Sequence, residues 1–195
     1  MMITTRCTQL KKINMNQFIQ QTQHWLKDII IAHDFCPFAK KEFLLDRIHY
    51  QIMPADLRQS LQVFEQALQY LDQNPSMETS LLIYSEALNN FDDFLDYHAI
   101  AEQHLCDLHY EGIYQLATFH PDYCFADSDS DDPANYTNRA PYPTLHILRE
   151  ASLEQKLKHY PKPELIPERN IAYARALGLN TMQDLLTRIQ NNDNM

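Results

Sequence analysis

The chain has two glycines, Gly112 and Gly178, in 195 residues, against a usual share of about 7%. Phosphate-cradling loops of the P-loop and dinucleotide-binding kinds need several glycines where the backbone approaches the phosphates, so neither type of nucleotide enzyme fits. Positive charge is also scarce. Lys and Arg total 16 against 26 Asp and Glu, a net charge of −10 with His neutral, which repels phosphate backbones and anionic membrane surfaces. Nucleic acid and membranes are therefore not expected partners. No apolar run approaches the roughly 18 residues of a membrane helix, and Met1 to Ile13 lacks the continuous apolar segment of a secretory signal, so a cytoplasmic location is expected. The cysteines, Cys7, Cys36, Cys106 and Cys124, form no C-x-x-C pair. That argues against a zinc site or a dithiol redox centre and for free thiols.

What is present reads as a single α/β domain over 1–195, long enough to remove roughly 70% of the unfolded surface from water. Three segments rich in β-branched and aromatic residues, Ile48 to Met53, Ser80 to Ser85 and Ile113 to His120, predict strands. Between the first two, Leu57, Leu61, Phe64, Leu68 and Leu71 recur at helical spacing. Between the second and third, Phe91, Phe94, Leu95, His98, Leu105 and Leu108 do the same behind Asn90 as N-cap. Two βαβ units predict a small, mainly parallel sheet of three or four strands flanked by helices. An N-terminal helix over about Asn16 to His33 should cover part of it, with Trp25, Ile29 and Ile30 on its apolar stripe. Pro143 reads as the first residue of a further helix, with Leu145 and Leu148 inward. Helices from Pro167 to Leu177, stopped by Gly178, and from a Thr181 cap complete the chain, with a frayed tail at 191–195.

The segment 121–142 is too polar and too broken by proline for regular structure, and longer than most loops of compact domains. It follows the third strand, where open α/β sheets place their ligands. His120 and Asp122 are the candidate general acid/base pair, the carboxylate orienting the imidazole. Asn135, Asn138 and Arg139 would bind a small anionic metabolite, joined by His146 and Arg149 on one face of the Pro143 helix. The plainer alternative is that these polar groups tie down a long loop. A metal held by His120, Asp122 and His146 would require the loop to fold back on that helix. Asp127, Asp129 and Asp131 alternate as in a calcium loop, but Asp132 and Asn138 stand where Gly and Glu are needed. No metal is expected, and no cofactor is indicated.

Cys36-Pro37-Phe38-Ala39 looks like a glutaredoxin motif without its second thiol, which makes Cys36 a candidate nucleophile with Lys40 and Lys41 nearby. Yet it follows a helix instead of a strand, which favours a packed turn. Three function classes compete: an enzyme on an anionic metabolite, a non-catalytic ligand- or protein-binding module, and a one-thiol redox protein.

Several motifs together resemble the bacterial domain of unknown function 1415 family. They are Cys36-Pro37-Phe38-Ala39, Phe119-His120-Pro121-Asp122-Tyr123, Asp132-Pro133-Ala134-Asn135-Tyr136-Thr137-Asn138-Arg139, Pro141-Tyr142-Pro143 with Leu145-His146 and Leu148-Arg149-Glu150, and Pro167-Glu168-Arg169-Asn170. The resemblance covers most of the chain and implies membership but no activity, cofactor or partner. Two departures stand out: Cys124 occupies a position where Gln is usual, and the stretch Asp127 to Asp132 is more acidic. The first argues against Cys124 as an essential nucleophile.

Overall fold

The computed structural model describes residues 16–191. The start of the chain with Cys7, and the 191–195 tail beyond Asn191, lie outside the described residues. Strands β1 (Ile48–Ile52), β2 (Thr79–Ile83) and β3 (Tyr114–Phe119) form within the three predicted segments or one residue outside them. Helix α3 (Leu57–Gln73) joins β1 to β2. It begins at Asp56, whose carboxylate accepts the amides of Arg58 and Gln59 and so satisfies two of the donors left open at a helix start. Helix α4 (Phe91–Asp107) joins β2 to β3. Asn90 caps it as expected, accepting the amides of Asp92 and Asp93.

The sheet differs from the mainly parallel expectation. Its order is β1-β2-β4-β3, and β4 (Thr144–Arg149) lies antiparallel to both β2 and β3. Only β1 and β2 pair in parallel, so the four-stranded sheet is mixed. The segment after Pro143, expected as a helix, is therefore the strand that separates β2 from β3. Leu145 and Ile147 face one core while His146 and Leu148 face the other side, so the run lacks the alternation of a half-exposed strand, and short runs of that kind read equally as helix. The following helix, α5 (Glu150–His159), starts only where the strand ends.

Both crossover helices pack on one face of the sheet. Phe64, Leu68 and Leu71 of α3, and Phe94, Tyr97 and Ala101 of α4, meet Leu82, Leu145 and Ile147 there. The opposite face is covered from both ends of the described chain. A helix over 16–25, α1, continues as a π-helical segment Leu26–Ile31, followed by the short α2 (Ala39–Leu44). From the other end come α6 (Ile166–Leu177) and α7 (Leu179–Gln190). Trp25, Ile29, Ile48, Leu81, Ala174 and Met182 belong to this second core. Gly178, at φ +82, ends α6 as expected and leads directly into α7, so Thr181 lies inside that helix and does not cap it. Among the described residues no helix is long and apolar enough to cross a membrane.

Candidate functional site

Side chains alternate along strands, so each sheet face receives every second residue. The face turned away from α3 and α4 carries two register rows: Ile48, Thr79 and Leu148 in one, Leu81, His146 and Ala117 in the next. All six line a cavity of about 240 Å³. Trp25, Leu26, Ile30, Phe38 and Ala39 form its roof. Trp25 is 1% exposed. It stands edge-on to Phe119, with ring centroids 4.9 Å apart, and its indole N–H donates to the Arg139 carbonyl at 2.8 Å. Ala117, the smallest residue of the floor, leaves the space beside His146 open. Glu42, Glu78, Arg149, Leu153 and Lys156 surround the remaining side, which serves as the mouth.

His146 is the polar side chain of the floor's inner row. Thr79 Oγ1 donates to the Ile147 carbonyl at 2.5 Å and lies 2.6 Å from His146 Nε2. A hydroxyl has a single proton. With that proton on the carbonyl, the oxygen accepts from Nε2–H, and the neutral imidazole has its lone pair on Nδ1. Burial pushes the pKa of His146 down to about 4. Nδ1 has no hydrogen-bond partner among the described residues, and it is not among the buried polar atoms sealed off by protein. Its lone pair therefore opens on the cavity.

At the mouth, two acids and two bases form a closed ring. Lys156 Nζ lies 2.9 Å from Glu42 and 2.6 Å from Glu78, while Arg47 reaches Glu42 and Glu78 at 3.1 Å each. Ser152 also donates to Glu78. Burial works to raise the Glu78 pKa, but the contacts with Lys156, Ser152 and Arg47 outweigh it and hold the carboxyl below its usual range. Lys156 is shifted the other way: burial lowers it, and the two carboxylates more than compensate. Arg149 stands outside the ring. Its guanidinium donates to the carbonyls of Met77 and Leu71 and to the Tyr114 hydroxyl, with no carboxylate paired to it directly.

Cys36 lines the same cavity, at the turn between the π-helical segment and α2. Burial raises its thiol pKa, outweighing the amides of Phe38 and Ala39. The packed turn after a helix is thus the observed setting, and it favours the neutral thiol over the reactive thiolate.

The other sequence-predicted residues gather elsewhere. The strand alternation that turns Ala117 and Phe119 to the cavity sends His120 to the α4 side, where its ring lies 5.1 Å from Phe91 and 5.3 Å from Phe94. His120 is fully buried. Its Nε2–H donates to the Leu88 carbonyl and its Nδ1 accepts the Asp122 amide, each at 3.0 Å. Both ring nitrogens are thus occupied by main chain. Asp122 itself is exposed. Asn135 is buried and bridges its loop, accepting the Phe125 amide and donating to the Asp129 carbonyl. The Asn138 carbonyl accepts the His120 amide. Arg139 donates to the carbonyls of Tyr123 and Ser130 and stacks 4.5 Å over the Tyr136 ring. Asp132 caps the 3-10 helix Pro133–Thr137 and pairs with Arg175, which holds its carboxyl far below the usual range. Among the described residues no three His, Cys, Asp or Glu side chains gather closely enough to hold a metal ion.

The predicted set therefore divides. Cys36, His146 and Arg149 meet at one cavity, while His120, Asp122, Asn135, Asn138 and Arg139 organise the 121–142 loop. His146 and Arg149 share no face: His146 projects to the cavity, and Arg149, three residues on, turns its guanidinium to the α3 side of the sheet, over the Tyr114 ring. Thr79, Trp25, Glu42, Glu78 and Lys156 were missed. Without β4 in the sheet, nothing in the sequence connected Thr79 to His146.

No curated protein and no solved structure matches the chain. A family model described as "Protein of unknown function (DUF1415)" matches residues 17–184, a span from the first turn of α1 into α7 that includes both the cavity and the loop, and the chain belongs to that family.

Proposed function

We propose that the protein binds a small molecule in the sheet cavity, with an apolar body packed between the floor and the roof. The observation that carries this reading is the cavity itself: about 240 Å³, walled by carbon, with one unpaired imidazole nitrogen facing it. An apolar cavity of about 150 Å³ is known to admit benzene, so a one- or two-ring body, or an equivalent alkyl chain, is of suitable size. Catalysis is a second reading favoured by His146, since a neutral imidazole with its lone pair open on an apolar cavity is equipped to take a proton. The loop residues His120, Asn135 and Arg139 are read as scaffold because their bonds go to main chain.

Trp25 is the single tryptophan of the chain and roofs the cavity, so its emission reports occupancy. Titration with small aryl and alkyl compounds of graded length should give a saturable change for some members. Ala117→Leu, which fills the floor beside His146, should abolish the change. If no compound alters the emission, or if Ala117→Leu binds as wild type does, the reading fails.

A further inference from the structure

Resting on the cavity as the binding site, we infer that His146 Nδ1 selects for a hydrogen-bond donor on the buried end of the ligand, so that the ligand class is a hydroxylated aryl or alkyl compound. The inner row of the floor is Leu81, His146 and Ala117, and the residues beside the imidazole offer carbon. Thr79 has no proton to spare: its hydroxyl donates to the Ile147 carbonyl while accepting from Nε2. The Cys36 thiol is a weak hydrogen-bonding group. Nδ1 is therefore the acceptor through which a bound molecule can be read at that depth. It also gains from being met, because a polar atom held away from water without a partner is costly to leave unpaired. A ligand presenting carbon there leaves the nitrogen unpaired. A ligand presenting an acceptor, such as a carbonyl or carboxylate, sets lone pair against lone pair.

The rest of the lining beside His146 is apolar: Leu148 follows it on the same face of β4, and Trp25 and Phe119 stand across the cavity. The selecting atom comes from the body of the sheet, in a central strand paired on both edges, a rigid mounting that holds the acceptor in place.

Toluene and phenol are nearly the same size and differ by a hydroxyl in place of a methyl, and anisole carries the oxygen without its proton. Their binding to the full-length protein is measured by Trp25 emission, together with the ¹⁵N signal of His146 Nδ1. Phenol should bind better than anisole, and phenol alone should move the Nδ1 signal. His146→Leu should weaken phenol relative to toluene by about tenfold, the effect of one hydrogen bond. His146→Gln, which keeps an acceptor, should restore part of the preference. If toluene and phenol both enter wild type and His146→Leu leaves their ratio unchanged, the selection by His146 is wrong while the cavity stands. If none of the three enters, the binding site itself is refuted. The wild-type ¹⁵N measurement decides the matter even where a variant fails to fold.

Discussion

The hydroxyl of Thr79 is shared between two partners on β4, 2.6 Å from His146 Nε2 and 2.5 Å from the Ile147 carbonyl. That relation fixes one tautomer of the buried imidazole and ties its protonation to folding. In the unfolded chain a histidine binds a proton near pH 6.5, whereas native His146 remains neutral down to about pH 4. Between these values the unfolded state carries more protons, so stability falls as the pH falls. The His146 contribution is fully present above pH 6.5 and is lost by about pH 4, an effect of about 3 kcal/mol. The imidazole should show the neutral Nε2–H form by NMR throughout pH 5–8. A midpoint near 6.5 would contradict the burial of the ring.

The ring of Arg47, Glu42, Lys156 and Glu78 predicts an asymmetric response to substitution. Glu42 and Glu78 are largely buried, with side chains 5% and 12% exposed. Lys156→Met removes one cation and leaves two enclosed carboxylates with Arg47 alone. Because Lys156 is itself partly exposed, the expected cost is about 2 kcal/mol in urea unfolding, below the full cost of breaking a buried pair. Glu78→Gln in the Lys156→Met background should recover part of it. A Lys156→Met protein as stable as wild type would show that the ring contributes little. The lowered Glu78 pKa adds a pH signature of its own: that contribution is present above the carboxylate range and disappears as the pH falls through it.

Asn135 tests whether the loop is scaffold. Its amide satisfies both the Phe125 N–H and the Asp129 carbonyl from a fully buried position. Asn135→Ala should cost about 2 kcal/mol and should raise the hydrogen-exchange rate of the Phe125 amide. Binding of phenol at the cavity should change by less than about threefold. A variant that keeps its stability but loses binding would move the site back to the loop.

Three of the four strands, both crossover helices and the Asn90 cap could be read from the chain because each depends on local pattern. A stripe such as Leu61, Phe64, Leu68 and Leu71 has one physical explanation. The strand Thr144–Arg149 does not, since Leu145 and Ile147 enter one core while His146 and Leu148 face the other. Pro143 before it also suits either a helix start or a strand entrance. Losing that strand had two effects. The sheet was taken as mainly parallel, and His146 was placed with His120, from which the sheet separates it. The loop residues were found as a group because they bond to one another's main chain across a short stretch. The cavity joins residues from 25 to 156 through sheet register, which sequence spacing does not encode.

The insertion of β4 between β2 and β3 also orders the assembly of the molecule. Thr79 pairs with Leu148, and β3 gains its sheet neighbour only from the same strand. Until residues 144–149 are in place, the chain consists of a parallel β1-β2 pair and a separate β3, with the inner edges of β2 and β3 unpaired. Such edges invite pairing with other chains, and closing a pairing this distant in sequence is slow. During synthesis the domain therefore stays divided until most of its length has been made, and the same strand that joins the halves also delivers His146 to the cavity.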